Sequence, residues 1–116
     1  MQIERFQTGS VMHNVVLHNQ CLYLSGQTCE DPIDFTEQVE GVFEKIEQLL
    51  SMHGSDKHHI LSAVVYLRDQ ENYNDFNIAW KRWLDADYYP ARTCVIAPLC
   101  RPSIQVEVTI TAAISS

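Results

Sequence analysis

Positions 104–111 read Ile-Gln-Val-Glu-Val-Thr-Ile-Thr, a strict alternation of apolar and polar side chains. Successive side chains of a β-strand point to opposite faces of a sheet, so this pattern predicts a strand with one Ile/Val face and one Gln/Glu/Thr face. The apolar face is expected to pack under helices. The polar face, which carries Glu107, meets either water or another subunit, and the alternation alone leaves both possibilities open.

Two segments upstream have helical periodicity. The apolar residues of positions 34–53 fall on one helical stripe, the pair Asp34 and Glu37 resembles a capping box, and Gly54 is a stop signal. A second amphipathic helix is predicted over about residues 72–84. Its aromatic residues, which include both tryptophans of the chain, are interpreted as an ordinary core face.

The remaining periodic segments are predicted to be strands. They include, in chain order, 15–18, 21–25, 60–67, 92–97 and 104–111. Asn19-Gln20 is expected to close a hairpin, and positions 98–103 contain two prolines and are expected to form a loop. The element order β-β-β-α-β-α-β-β predicts an α+β sandwich in which two helices pack on one sheet.

The composition indicates one globular domain over residues 1–116. Hydrophobic residues make up 46% of the 116 positions, which excludes a disordered chain. The formal charge is −7, with 8 Lys and Arg against 15 Asp and Glu. This acidic balance argues against nucleic-acid partners, whose phosphates are neutralised by basic side chains. No apolar run approaches the length of a membrane helix, so no membrane partner is expected.

The cysteines and histidines indicate reduced thiols and no metal site. The four cysteines have no paired spacing typical of zinc ligands, and the histidines do not cluster on one predicted face. No secretory signal is visible at the start of the sequence. We therefore expect a cytoplasmic protein with free cysteines.

Three segments contain residues that could carry chemistry. Arg92 lies in an otherwise apolar strand, where a guanidinium is either an ion-pair partner or a bidentate carboxylate binder. Cys94 is two residues further along the same face, and an inert buried thiol is favoured because no base lies nearby in sequence. Gly26, between Ser25 and Gln27 at a strand end, could let the backbone approach a ligand.

Taken together, these segments resemble the reactive intermediate deaminase family, the YjgF-type or Rid proteins. The resemblance rests on Tyr-Leu-Ser-Gly-Gln at 23–27, Pro-Ala-Arg-Thr-Cys-Val at 90–95 and Val-Glu-Val at 106–108, and it covers nearly the whole chain. It implies a chorismate-mutase-like two-layer sandwich, with a mostly antiparallel sheet and both helices on one face. It also implies a homotrimer with ligand clefts between subunits, so that the polar face of the last strand would be interfacial.

The implied activity is hydrolysis of reactive enamines and imines, such as 2-aminoacrylate, to 2-oxo acids and ammonia, without a cofactor. The partner is then a small-molecule carboxylate substrate. In the roles that the resemblance implies, Arg92 clamps the substrate carboxylate and Glu107 holds or activates a water. The N–H of Gly26, next to Ser25, and the backbone carbonyl of Cys94 orient substrate and water. Asn77 matches a position that lines the cleft.

The chain departs from the family pattern at Met12. Many family deaminases carry a tyrosine here that reaches the cleft, and methionine has no hydroxyl to donate. The missing hydroxyl is expected to change the substrate range or the rate.

Two other functions are considered beside the deaminase. One is a non-catalytic module that binds carboxylate metabolites in the same cleft. The other is an endoribonuclease, an activity attributed to some relatives, which the acidic charge disfavours.

Overall fold

The computed structural model describes residues 2–115, which form one six-stranded sheet and two α-helices. The elements are β1 Glu4–Thr8, β2 His13–His18, β3 Cys21–Leu24, α1 Phe35–Met52, β4 Ile60–Leu67, α2 Tyr73–Trp83, β5 Ala91–Ile96 and β6 Val106–Ala113. This is the predicted element order. Within the described range, neither α1 nor α2 combines the length and the apolar character that spanning a bilayer requires.

The strands lie in the order β1-β2-β3-β6-β4-β5, which makes β1 and β5 the edges of the sheet. All neighbours are antiparallel except β4 and β5, which run parallel because α2 forms the crossover between them. The predicted mostly antiparallel sheet is therefore confirmed. Arg92 lies on the edge strand β5, and Glu107 lies on β6, two strands further into the sheet.

The predicted hairpin and helix ends are confirmed by backbone geometry. Asn19 and Gln20 have φ angles of 52° and 63°, the left-handed conformation of a two-residue hairpin turn. At the start of α1, the Asp34 carboxylate accepts a hydrogen bond from the Glu37 N–H at 3.1 Å. At its end, Gly54 has a φ of 81°, and the Ser55 N–H donates to the Leu50 carbonyl at 2.9 Å.

The last strand begins two residues later than its alternation predicts. The backbone groups of Ile104 and Gln105 bind side chains: the Arg68 Nε donates to the Ile104 carbonyl at 2.8 Å, and the Gln105 N–H donates to the Gln38 Oε1 at 3.0 Å. These two positions therefore close the preceding loop instead of extending β6. The alternation of the sequence indicates only which side chains are buried. Because Ile104 is also buried in the loop, the pattern cannot distinguish the loop from the strand.

The two faces of the sheet differ as the alternation of β6 predicts. Its apolar side chains are fully buried on the helix-covered face. The other face, here called the open face, carries no helix, and its β6 side chains are half-buried. The register adds apolar neighbours to that face; among them are Val64, Tyr66, Val95 and Tyr23. With Tyr23 46% and Val95 38% exposed, the open face is more apolar than β6 alone predicts.

A buried glutamine joins α1 to the loop that precedes β6. The Gln38 Nε2 donates to the carbonyls of Pro32 and Ser103 at 2.7 and 2.9 Å, and its Oε1 accepts from the Gln105 N–H. The side chain is 1% exposed, so these three backbone groups satisfy the Gln38 amide in place of water. This amide fixes where β6 enters the sheet, and therefore where Glu107 lies.

Gln38→Leu is expected to lower the free energy of unfolding by about 3 kcal/mol, because an unsatisfied buried polar group costs roughly 1–3 kcal/mol. Urea denaturation followed by circular dichroism measures the change. Gln48→Leu, on an exposed position of the same helix, is the matched control and should change stability by no more than about 0.5 kcal/mol. An equal loss in both variants contradicts the proposed role of the Gln38 amide.

Candidate functional site

Arg92 lies on the helix-covered face of the edge strand β5. In the sheet register it is level with Ala63 and Ile110, which are both buried under the helices. Its guanidinium carbon is 5.1 Å from the ring centre of Trp80 and 5.8 Å from that of Phe76, both on α2. Contacts of a guanidinium with aromatic rings at this distance are cation–π interactions. They hold the Arg92 side chain in place while leaving its N–H groups available.

Two clefts meet at Arg92. The larger, of about 590 Å³, and the smaller, of about 320 Å³, share this residue. The other residues of the larger cleft are Gln70, Tyr73, Asn74, Cys94 and Ile96. Those of the smaller cleft are Asn77, Trp80, Lys81, Tyr89 and Pro90. No carboxylate oxygen of residues 2–115 lies within 4.0 Å of the guanidinium, which favours anion binding over the ion-pair alternative.

Cys94 follows Arg92 on the same face, as predicted, and lines the larger cleft. Partial burial raises the pKa of its thiol, and the nearby Arg92 charge opposes that effect only in part. A thiol with a raised pKa is protonated at neutral pH, and the thiolate is the nucleophilic form. The structure therefore favours the inert-thiol interpretation of the Cys94 side chain.

The candidate site residues fall into two groups, here called constellations. Arg92, Cys94 and Asn77, at the two clefts, form the first, and Glu107 and Gly26, on the open face, form the second. Gly26 follows β3, and a Cβ atom placed on it would overlap the Oε2 atom of the Glu107 carboxylate. Only glycine lets that carboxylate lie against the backbone. The next residue, Gln27, exchanges two backbone hydrogen bonds with Val108 at 2.9 and 3.1 Å. The Gly26 N–H makes no hydrogen bond within residues 2–115, so it is available to a ligand beside the carboxylate.

The other predicted site residues are divided between the two constellations. Asn77 lines the smaller cleft together with Arg92. Ser25 precedes Gly26, but its hydroxyl donates to the Asn14 Oδ1 at 2.7 Å and is therefore occupied. Met12 lies in the loop before β2, with its side chain 53% exposed. It is near the end of the sheet at which Ser25 pairs with Asn14.

Within one chain the two constellations do not meet. The side chains of Arg92, Cys94 and Asn77 are on the helix-covered side, whereas Glu107 lies on the open face, level with Tyr66. The sheet itself separates the Arg92 guanidinium from the Glu107 carboxylate. A single ligand that contacts both therefore needs a second copy of the chain.

Sequence reasoning missed the aromatic support of Arg92. The periodicity places Tyr73 and Trp80 on the core face of the second helix. Trp80 is 5% exposed, as predicted, but the prediction is wrong for Tyr73, which is 41% exposed at the N-terminal end of the helix. Both rings face the Arg92 guanidinium. The helical spacing of Tyr73, Asn77, Trp80 and Lys81 was a visible signal. It identifies one face of α2, but not the strand that this face covers.

Residues 4–114 match the family model described as Endoribonuclease L-PSP. The chain belongs to the YjgF/Rid family. It is 34% identical over 114 residues to the RutC family protein YoaB of Escherichia coli K12, covering 98% of this chain and all of that protein. It is 36% identical to a RutC family protein of Haemophilus influenzae, covering 97% and 98% of the two chains.

A solved structure of a YjgF-family protein from Neisseria meningitidis has the same fold. It superposes with a TM-score of 0.96 at 40% sequence identity, over 100% of this chain and 98% of that one. Membership in the YjgF/Rid family confirms the resemblance that rested on positions 23–27, 90–95 and 106–108. The matched range 4–114 contains both constellations.

Proposed function

We propose that this Rid-family chain hydrolyses reactive enamines and imines of the 2-aminoacrylate type to 2-oxo acids and ammonia. The observation that carries the proposal is the Arg92 guanidinium, held by aromatic rings and without a carboxylate partner among residues 2–115. An arginine in this state suits a ligand carboxylate, which its planar fork binds through two parallel hydrogen bonds. Amino-acid-derived imines all carry that carboxylate next to the reacting carbon.

The reaction requires little from the protein beyond the positioning of substrate and water. An enamine first takes a proton on its terminal carbon, loses one from nitrogen, and so becomes an imine. Water then adds to the imine carbon, Glu107 accepts a proton from that water, and the proton is returned to nitrogen. The hydroxyl proton of the resulting carbinolamine then passes to nitrogen, the carbon–nitrogen bond breaks, ammonia leaves, and the carbon becomes the carbonyl of a 2-oxo acid. The Gly26 N–H and the Cys94 backbone carbonyl orient substrate and water.

This scheme needs Arg92 and Glu107 at one substrate, so we propose that the active cleft lies between two copies of the chain in a homotrimer. Two features support the assembly. The Arg92 and Glu107 constellations are on opposite sides of one sheet, and the open face exposes Tyr23 and Val95 beside the polar side chains of β6. Light scattering should give a trimer at micromolar concentration, and a stable monomer contradicts the proposal.

The shared cleft makes a quantitative prediction for mixed trimers. Arg92→Ala and Glu107→Ala chains carrying different affinity tags are co-expressed, and trimers that contain both are purified through the two tags. Each mixed trimer has one cleft with both functional residues, so about a third of wild-type activity is expected from two inactive variants. Trimers of either variant alone are the controls. Inactive mixed trimers of verified composition would place Arg92 and Glu107 in the same protomer's site.

The test of the function couples an amino-acid oxidase or a dehydratase to this protein and follows decay of the imine. Decay faster than in buffer supports the deaminase. One observation favours the second candidate, a binding module: Met12 offers no hydroxyl where many family deaminases have a tyrosine. Binding of a 2-oxo acid without faster imine decay supports that module and contradicts the enzyme.

A further inference from the structure

The clefts at Arg92 lack acidic residues in a chain that is rich in them. The sequence has 15 Asp and Glu, yet neither the larger nor the smaller cleft is lined by one. The groove between α1 and α2 shows the contrast, because it contains Glu40, Glu44 and Glu47 around Arg82. The absence of carboxylates near Arg92 is therefore local to these two clefts. It makes these two clefts suited to anions despite the acidic character of the whole molecule.

The smaller cleft contains a second cation, Lys81. Like Arg92, it has no carboxylate oxygen within 4.0 Å in the described part of the chain. Asp85 lies beyond the end of α2 and binds the His58 ring at a distance of 3.0 Å. Asn77 is one turn before Lys81 on the same side of α2, so an amide and an ammonium border the same space.

From this arrangement we infer that the substrates include α-imino acids with a second carboxylate, and that Lys81 binds that distal carboxylate. Arg92 holds the carboxylate next to the reacting carbon, as in the proposed function on which this inference rests. A side chain that extends into the smaller cleft then places its own carboxylate at Lys81, with Asn77 as a further donor. Lys81 acts here as a specificity-determining residue and not in the chemistry.

The overall charge of the protein makes the inference testable. A net charge of −7 repels a dianion more than a monoanion, so any preference for the dianion must come from a local site. Suitable probes are 2-oxoglutarate and 2-oxopentanoate, which have the same carbon chain and differ only by a carboxylate in place of a methyl group. Both resemble products of the proposed reaction.

Isothermal titration calorimetry of the wild-type protein at physiological ionic strength should show 2-oxoglutarate binding about five- to tenfold more tightly than 2-oxopentanoate, the scale of one charge-assisted contact. Lys81→Gln should abolish that preference and leave 2-oxopentanoate affinity within about twofold. Arg82→Gln is the matched control, because it removes the same charge one residue away in the acidic groove. It should preserve the preference.

Kinetics give a second readout. Lys81→Gln should raise KM for imines of glutamate with little change in kcat, as expected for a contact made equally in ground and transition states. Imines of norvaline should be unaffected. Turnover of both imines with equal KM and no effect of Lys81→Gln overturns this inference and leaves the deaminase proposal intact. Failure of both 2-oxo acids to bind and of both imines to react overturns the two proposals together.

Discussion

Arg92→Ala is expected to reduce kcat/KM for amino-acid-derived imines by about 10³-fold, the scale on which a fully engaged charge pair contributes. The alanine variant removes both the charge and the fork that fixes the two carboxylate oxygens of the substrate. Arg92→Lys should recover little, because an ammonium keeps the charge but donates from a single point. It also loses the flat face that packs against the ring of Trp80. The coupled imine-decay assay measures both variants.

Arg82→Lys is the control for that experiment. It makes the same exchange on an exposed arginine of α2 whose side chain lines the acidic groove away from the Arg92 clefts. It should leave turnover unchanged. If Arg92→Lys instead retains activity within a few-fold of wild type, the bidentate clamp is wrong, and only the positive charge of Arg92 is needed.

The parts of the fold that sequence predicted are those set by local physics. The alternation of β6, the cap at Asp34 and the stop at Gly54 each depend on a few neighbouring residues, and the structure confirms all three. The start of β6 was predicted two residues early. The side chains of Gln38 and Arg68, which are distant in sequence, bind the backbone there, and no local pattern records that contact.

The sequence predicted which residues form the candidate site but not how they are arranged in space. Arg92 and Cys94 share a face because they are two positions apart on one strand, which sequence alone predicted. The contact between Gly26 and Glu107 depends on how β3 pairs with β6, and the contact between Arg92 and Trp80 depends on which strand α2 covers. Both are properties of the topology. The placement of Arg92 and Glu107 on opposite sides of the sheet has the same origin.

Glu107→Gln should reduce turnover by about 10²-fold or more, the usual contribution of a positioned acid–base group. Glutamine keeps the size of the side chain and removes the proton acceptor for water. Gly26→Ala should produce a comparable defect by another route, since its Cβ would displace the Glu107 carboxylate from the backbone. The displaced atoms are the far end of a flexible side chain, so this variant should still fold. Imine decay and light scattering are measured for both variants.

Cys94→Ser separates water addition from covalent catalysis in the same assay. The hydrolytic scheme uses only the backbone carbonyl of Cys94, and the raised pKa of its thiol keeps the nucleophilic thiolate scarce at neutral pH. The serine variant preserves that carbonyl and should therefore retain most activity, whereas Glu107→Gln does not. A covalent route would require the thiolate to attack the imine carbon and release the product by hydrolysis of a sulfur adduct. An inactive but trimeric Cys94→Ser variant, together with a thiol adduct trapped in the wild type and detected by mass spectrometry, would replace water addition with that route.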